Sequence, residues 1–135
     1  MKYLEIKLLP YDRILKVYFT DDHKYIENEY PKMENGYEYT DGTYFANFNI
    51  KGKFIDVIVI NNQSQEWKKA DWVGKACLIA HEVHHCIYYV SHAIPLECSE
   101  SQAWLFDMVL AEIFRAYDWK KDCIKTTQKR KQIRR

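Results

Sequence analysis

One stretch constrains this chain more than any other. Ala76 to Cys86 reads A-C-L-I-A-H-E-V-H-H-C, and no Gly or Pro falls between Lys75 and Ile94. A breaker-free run with Leu78, Ile79, Ala80, Val83, Ile87 and Val90 as apolar positions reads as a buried helix, from about Trp72 to Val90. Inside it, His81-Glu82-Val83-His84-His85 matches H-E-x-x-H. Four residues advance a helix by about 400°, so His81 and His85 share one face, one turn apart. Two imidazoles so placed can both reach one Zn²⁺ at roughly 2.0–2.1 Å. Glu82 is rotated about 100° from His81 and flanks such a metal as a general base for its water. The plainer alternative is a cluster of core histidines satisfied by hydrogen bonds, since the motif fixes only three positions. Charged and polar groups in a buried helix are costly unless paired or metal-bound, which favours the metal.

A catalytic zinc takes three protein ligands and a water, so a third donor is needed. His92 is seven residues past His85, about 10.5 Å along a continuous helix, and shares the metal only if the chain turns. The turning pattern H-E-x-x-H-x-x-G-x-x-H is not met, because Tyr88 and Ser91 stand at its last fixed positions. His84 lies one turn from His81 but about 100° from His85, which would strain a three-histidine cluster. Glu97 and Glu100 fit better, near the start of the next helix, which a short connector can return antiparallel to the first. Glu100 is preferred over Glu97, which is nearer the connector. A favourable charge at a helix start is the ordinary explanation for both.

The rest of the chain supplies a small sheet. Residues 2–9 alternate as a strand with Leu4, Ile6 and Leu8 on one face, and Arg13 to Phe19 forms its hairpin partner. Asp21 to Met33 has room for a short helix ending before Pro31. Tyr44–Ile50 and Phe54–Ile60 flank the turn Lys51-Gly52-Lys53 as a second hairpin. Asn61 to Gln65 reads as a polar loop. From Leu96 to about Trp119, Ala103, Trp104, Phe106, Val109, Leu110, Ile113, Phe114 and Tyr117 mark a helical apolar face. The expected fold class is therefore α+β: a small, mostly antiparallel sheet packed against the H-E-x-x-H helix and a second, antiparallel helix.

Length and charge divide the chain further. With 135 residues, one domain is expected, over residues 1–119. Residues 120–135 form a basic tail: from Trp119 on there are eight Lys and Arg against Asp122, a balance of +7, against −6 for the preceding 118 residues. Such a tail is most often a solvated terminus, with nucleic-acid binding as the functional alternative. No apolar run reaches 18 residues, so no transmembrane helix is expected, and the N-terminus lacks the pattern of a signal peptide. A cytoplasmic setting follows as the expectation. The four cysteines form no C-x-x-C pair and read as free thiols.

His81-Glu82-Val83-His84-His85, a short connector, and then Glu100-x-x-Ala103 on an aromatic-rich helix resemble the minimal gluzincin metallopeptidases. These include the ImmA/IrrE-like group and short metallopeptidase-like proteins of phages and mobile elements. The resemblance covers about residues 54–115. It implies a zinc metallopeptidase with His81, His85 and Glu100 as metal ligands and Glu82 as catalytic base, acting on a protein or peptide. It also implies that Phe54–Ile60 is the sheet edge along which an extended peptide binds. An oxyanion-stabilising Tyr or His is expected, and eleven tyrosines leave it unassigned. The alternative is an inactive metal-binding or interaction module.

Overall fold

The computed structural model describes residues 3–8, 12–30, 41–93 and 99–117. Eight elements follow in order: β1 (Tyr3–Lys7), β2 (Arg13–Phe19), α1 (His23–Glu29), β3 (Gly42–Ile50), β4 (Lys53–Ile60), α2 (Gln65–Lys69), α3 (Trp72–Ala93) and α4 (Ser99–Ala116). The fold is α+β. The strand order is β1-β2-β4-β3 among the described residues, with both hairpins antiparallel and β2 parallel to β4.

This order corrects one expectation. Phe54–Ile60 is not an edge: β4 is paired on both sides, by β2 and β3. Its sequence carries the reason. Ile55 to Ile60 are six consecutive buried residues, the pattern of a strand covered on both faces rather than one. Ile58 and Ile60 join the core under α3 and α4, with Leu15 and Val17 of β2. Ile55, Val57 and Val59 face the other way, into a smaller core with Tyr18 and with Ile26 of α1. Each fully buried aliphatic side chain contributes about 1.5–3 kcal/mol, so the five buried aliphatic residues of the run, on both faces, are what seat β4 at the centre.

Local chemistry sets the boundaries. Lys51 and Gly52 both have positive φ, 52° and 79°, as a two-residue hairpin turn requires. Asn49 Oδ1 accepts the Gly52 N–H at 3.1 Å. The register of β3 against β4 shifts between Phe45 and Phe48, where β3 carries one extra residue. The shift puts Phe45, Phe48 and Ile50 against one core and leaves Tyr44 on the α3 side.

Helix α2 follows the polar loop that begins at Asn61 and is capped by Ser64, whose Oγ accepts the Trp67 N–H at 3.1 Å. Asp71 then opens α3 by accepting the Gly74 N–H at 3.0 Å. Helix α3 runs three residues further than Val90. Ser91 lies within it, with its Oγ donating to the Tyr88 carbonyl at 2.8 Å. Helix α4 returns antiparallel: Tyr117 at its end meets Lys75 at the start of α3, with Nζ donating to the hydroxyl at 3.4 Å. The connector with Glu97, and the proposed tail at 120–135, lie outside the described residues. No described helix is long and apolar enough to cross a membrane.

Candidate metal centre

The apolar stripe of α3 holds Ile79, Val83, Cys86 and Val90 in the core, which turns the opposite side of the helix outward. His81 and His85 stand on that outward side, both exposed. Their Nε2 atoms are 3.1 Å apart, and the rings meet edge to face with centroids 4.7 Å apart. Two nitrogens bound to one tetrahedral zinc are separated by roughly 3.3 Å, so this pair fits a shared metal. It equally fits one imidazole N–H donating to the other nitrogen. The neutral form that either arrangement needs is favoured at His85, whose pKa is lowered by burial and by His81 and His84.

Glu82 lies beside them but is only 6% exposed. It makes no hydrogen bond to any described side chain or backbone group, and burial raises its pKa against the pull of His81. Gly42, the first residue of β3, lies directly against it. A Cβ on Gly42 would stand 3.1 Å from Glu82 Cγ and 3.2 Å from Oε1. The Asp41-Gly42 pair thus does more than turn the chain: the missing side chain lets the strand close over the carboxylate. Together Gly42, Thr43, Tyr44, His81, Glu82, His85, Tyr88 and Tyr89 line a cleft of about 460 Å³ between β3 and α3.

A buried charged network backs this cleft. Arg13 donates twice to Asp56, Nε to Oδ2 at 3.1 Å and Nη2 to Oδ1 at 2.9 Å, with Asp56 fully buried. Tyr44 Oη donates to Asp56 Oδ1 at 3.2 Å. The Tyr44 phenol is held well above its ordinary range by burial, by Cys86 and by Asp56. The Cys86 thiol is pushed up by burial and by Asp56, so it stays protonated. Arg13 also lies 5.6 Å from the Phe54 ring centre and 5.9 Å from that of Tyr89. One network therefore ties β2, β4, β3 and α3 together directly behind the histidines.

The remaining candidates are placed apart. Helix α3 does not turn after His85, so His92 stays on it, with Nδ1 donating to the Tyr88 carbonyl at 2.7 Å and its ring stacked on Tyr88. His84 is exposed, with its ring centre 6.3 Å from that of His85, and faces a neighbouring groove. Glu100 is exposed in the first turn of α4 and does not line the cleft. Asp107 is exposed as well. Among the described residues, no three His, Cys, Asp or Glu side chains come together as a metal-holding group.

The sequence argument missed Gly42, Tyr44 and the Arg13–Asp56 pair. The signal for the last was present: Asp56 is the lone carboxylate in F-I-D-V-I-V-I, and a charge in such a strand needs a buried partner. Compared with known proteins, the chain matches no family model, no curated protein and no solved structure.

Proposed function

We propose that the cleft between β3 and α3 is the centre of a zinc-dependent peptide hydrolase. The observation that carries this reading is the convergence of two imidazole nitrogens, 3.1 Å apart, beside a buried carboxylate that has no hydrogen-bond partner among the described residues. His81 and His85 would hold the zinc through Nε2, and Glu100 is the third ligand we assign. Its carboxylate is exposed and makes no hydrogen bond or ion pair to a described residue. When bound, the zinc supplies a Lewis acid that polarises the scissile carbonyl and acidifies a water.

The chain's own residues do the rest. Glu82 takes a proton from the attacking water and passes it to the leaving amine. Its raised pKa suits both halves of that task, since a carboxylate poised nearer neutrality is the better proton shuttle. Gly42 and Tyr44 wall the cleft and limit the water around Glu82. The substrate is a protein or peptide, and a cytoplasmic setting accompanies it.

The exposed position of Glu100, away from the cleft, favours a second reading: a metal-binding or interaction module of a phage or mobile element, without hydrolysis. Nucleic-acid binding by the basic tail is compatible with either. Zinc content by elemental analysis, with peptide cleavage by wild type and Glu82→Gln, separates them. The hydrolase binds about one zinc and loses cleavage but not zinc on that substitution. A chain that binds zinc and cleaves nothing is the second kind, and one that binds no zinc is neither.

A further inference from the structure

Among the described strands, the sheet ends in β1 on the side opposite β3, which walls the cleft. Strand β1 is bonded to β2 and to no other described strand. Its ladder fixes which backbone groups face outward. The Leu8 N–H donates to the Arg13 carbonyl at 2.9 Å, so Leu8 and Arg13 stand at a hydrogen-bonded position of the antiparallel ladder. Such positions alternate. Ile6 and Leu4 therefore bond inward to β2, whereas Tyr3, Glu5 and Lys7 turn their N–H and C=O groups outward.

The side chains alternate too. Leu4, Ile6 and Leu8 lie on the helix side, in the core or packed against it. Tyr3, Glu5 and Lys7 point to the other face and are exposed. Tyr3 is engaged by β2: its ring lies 5.2 Å from that of Tyr18, with the Lys16 ammonium 4.8 Å from its centre. Lys16 is the residue opposite Glu5 in the ladder. With that ammonium drawn over Tyr3, neither Glu5 nor Lys7 has an ion pair among the described residues. The edge thus carries outward amides and carbonyls, with an acid and a base two residues apart.

That pattern selects its own complement. A second copy related by a two-fold axis across the edge runs antiparallel, and its outward residues must meet outward residues. An axis at Glu5 sets Glu5 against Glu5, like charges directly opposite. An axis at Leu4 sets Glu5 against Tyr3. An axis at Ile6 sets Glu5 of each copy against Lys7 of the other, so both charges are matched twice. The same register places Ile6 against Ile6 and Leu4 against Leu8 on the helix side, aliphatic against aliphatic. Helix α4 packs over β1, so the helix layers of the two copies also come alongside each other.

We infer that β1 is a self-association edge, through which two copies of this chain join antiparallel about a two-fold axis at Ile6 into one continuous sheet. The pairing needs no metal, and it leaves the two clefts at the far ends of the joined sheet.

The test is sedimentation equilibrium of the full chain, as wild type, Glu5→Lys and Lys7→Glu. Wild type is expected to pass from monomer to dimer as its concentration rises to about 1 mM, where even a weak edge contact is populated. Each substitution sets like charges opposite one another at both pairs and is expected to weaken the dimer at least tenfold. Glu5 and Lys7 are exposed, so neither change enters the core. An equimolar mixture of the two variants has opposite charges at every pair and is expected to dimerise as wild type does. The double variant Glu5→Lys with Lys7→Glu is expected to dimerise by itself. Wild type that stays monomeric throughout overturns the inference. So does a dimer that both single variants keep, or a mixture that stays as monomeric as its components.

Discussion

Gly42 and Glu82 are packed so closely that a methyl group on the glycine would stand 3.1 Å from the carboxylate's Cγ. The contact is made from two directions, since Leu78 Cδ2 would also lie 3.1 Å away. Gly42→Ala must therefore move Glu82, Leu78 or the start of β3. Overpacking of this kind costs about 1–3 kcal/mol. The expected outcome is a lower Tm with zinc content unchanged, and a fall in peptide cleavage larger than the loss of stability explains. Unchanged cleavage by a folded Gly42→Ala variant would show that the closeness of β3 to Glu82 has no part in the chemistry.

Glu82 itself is a stability liability, and the sign can be worked out. Burial raises its pKa in the folded chain, so the unfolded chain ionises first as pH rises from acid. Stability is therefore undiminished by this group below the ordinary carboxylate range. It declines as pH climbs from there to the raised folded value, and the deficit persists at neutrality. Metal-free Glu82→Gln should accordingly be more stable than wild type at pH 7, with the difference closing in acid. Chemical denaturation at several pH values measures it. A variant less stable at neutrality would mean that the ionised carboxylate is held by favourable contacts.

Much of this architecture was legible in the chain, and the reasons are particular. The helix of His81 and His85 could be read because its apolar positions repeat at helical spacing without a breaker. The two hairpins were readable from the Lys51-Gly52 turn and the run Arg13–Phe19. What could not be read was how the hairpins join. Pairing β2 with β4 is a parallel contact between strands about forty residues apart, and no local signal encodes it. Its marker is Ile55–Ile60, with aliphatic residues on both faces and Asp56 alone charged among them, which identifies a central strand only once two covering layers are assumed. The same holds for the site. His81, Glu82 and His85 are local to one helix, so that they lie together could be read from their spacing. Gly42 and Tyr44 reach the cleft from a distant strand, which no local spacing reveals.

The Arg13–Asp56 pair gives a prediction that separates stability from function. An ion pair this buried is often no better than apolar packing, whereas removing one partner strands the other. Asp56→Ala should destabilise by about 3–5 kcal/mol. The double replacement Arg13→Met with Asp56→Leu should recover most of that loss. It should not recover cleavage, because Tyr44 then has no carboxylate to hold it at the wall of the cleft. Denaturation midpoints and cleavage rates on the three proteins measure both. Full cleavage by the double variant would reduce the network to a packing device.

A zinc competition titration identifies the third ligand. His81→Ala and His85→Ala should each abolish tight binding, since each removes half of the 3.1 Å pair. Glu100→Ala should weaken zinc at least tenfold and abolish cleavage, while Glu97→Ala and His92→Ala should do little. His92 stands two turns beyond His85 on the same unbroken helix, with Nδ1 donating to the Tyr88 carbonyl, so it is too far along to share the metal. Stability supplies an independent readout. Free zinc at one hundred times Kd raises the unfolding free energy by about 2.7 kcal/mol, and variants that lose the metal lose that increment. Protons compete for the same nitrogens. Because burial and the neighbouring histidines lower the pKa of His85 below 6.5, it stays neutral to a lower pH than a free imidazole. Zinc affinity should fall as the solution is acidified and protons compete for the ligating nitrogens. If Glu97→Ala produces the larger loss, the carboxylate belongs to the connector rather than to α4. If neither glutamate matters, His81 and His85 bind the metal without an acidic partner from this region.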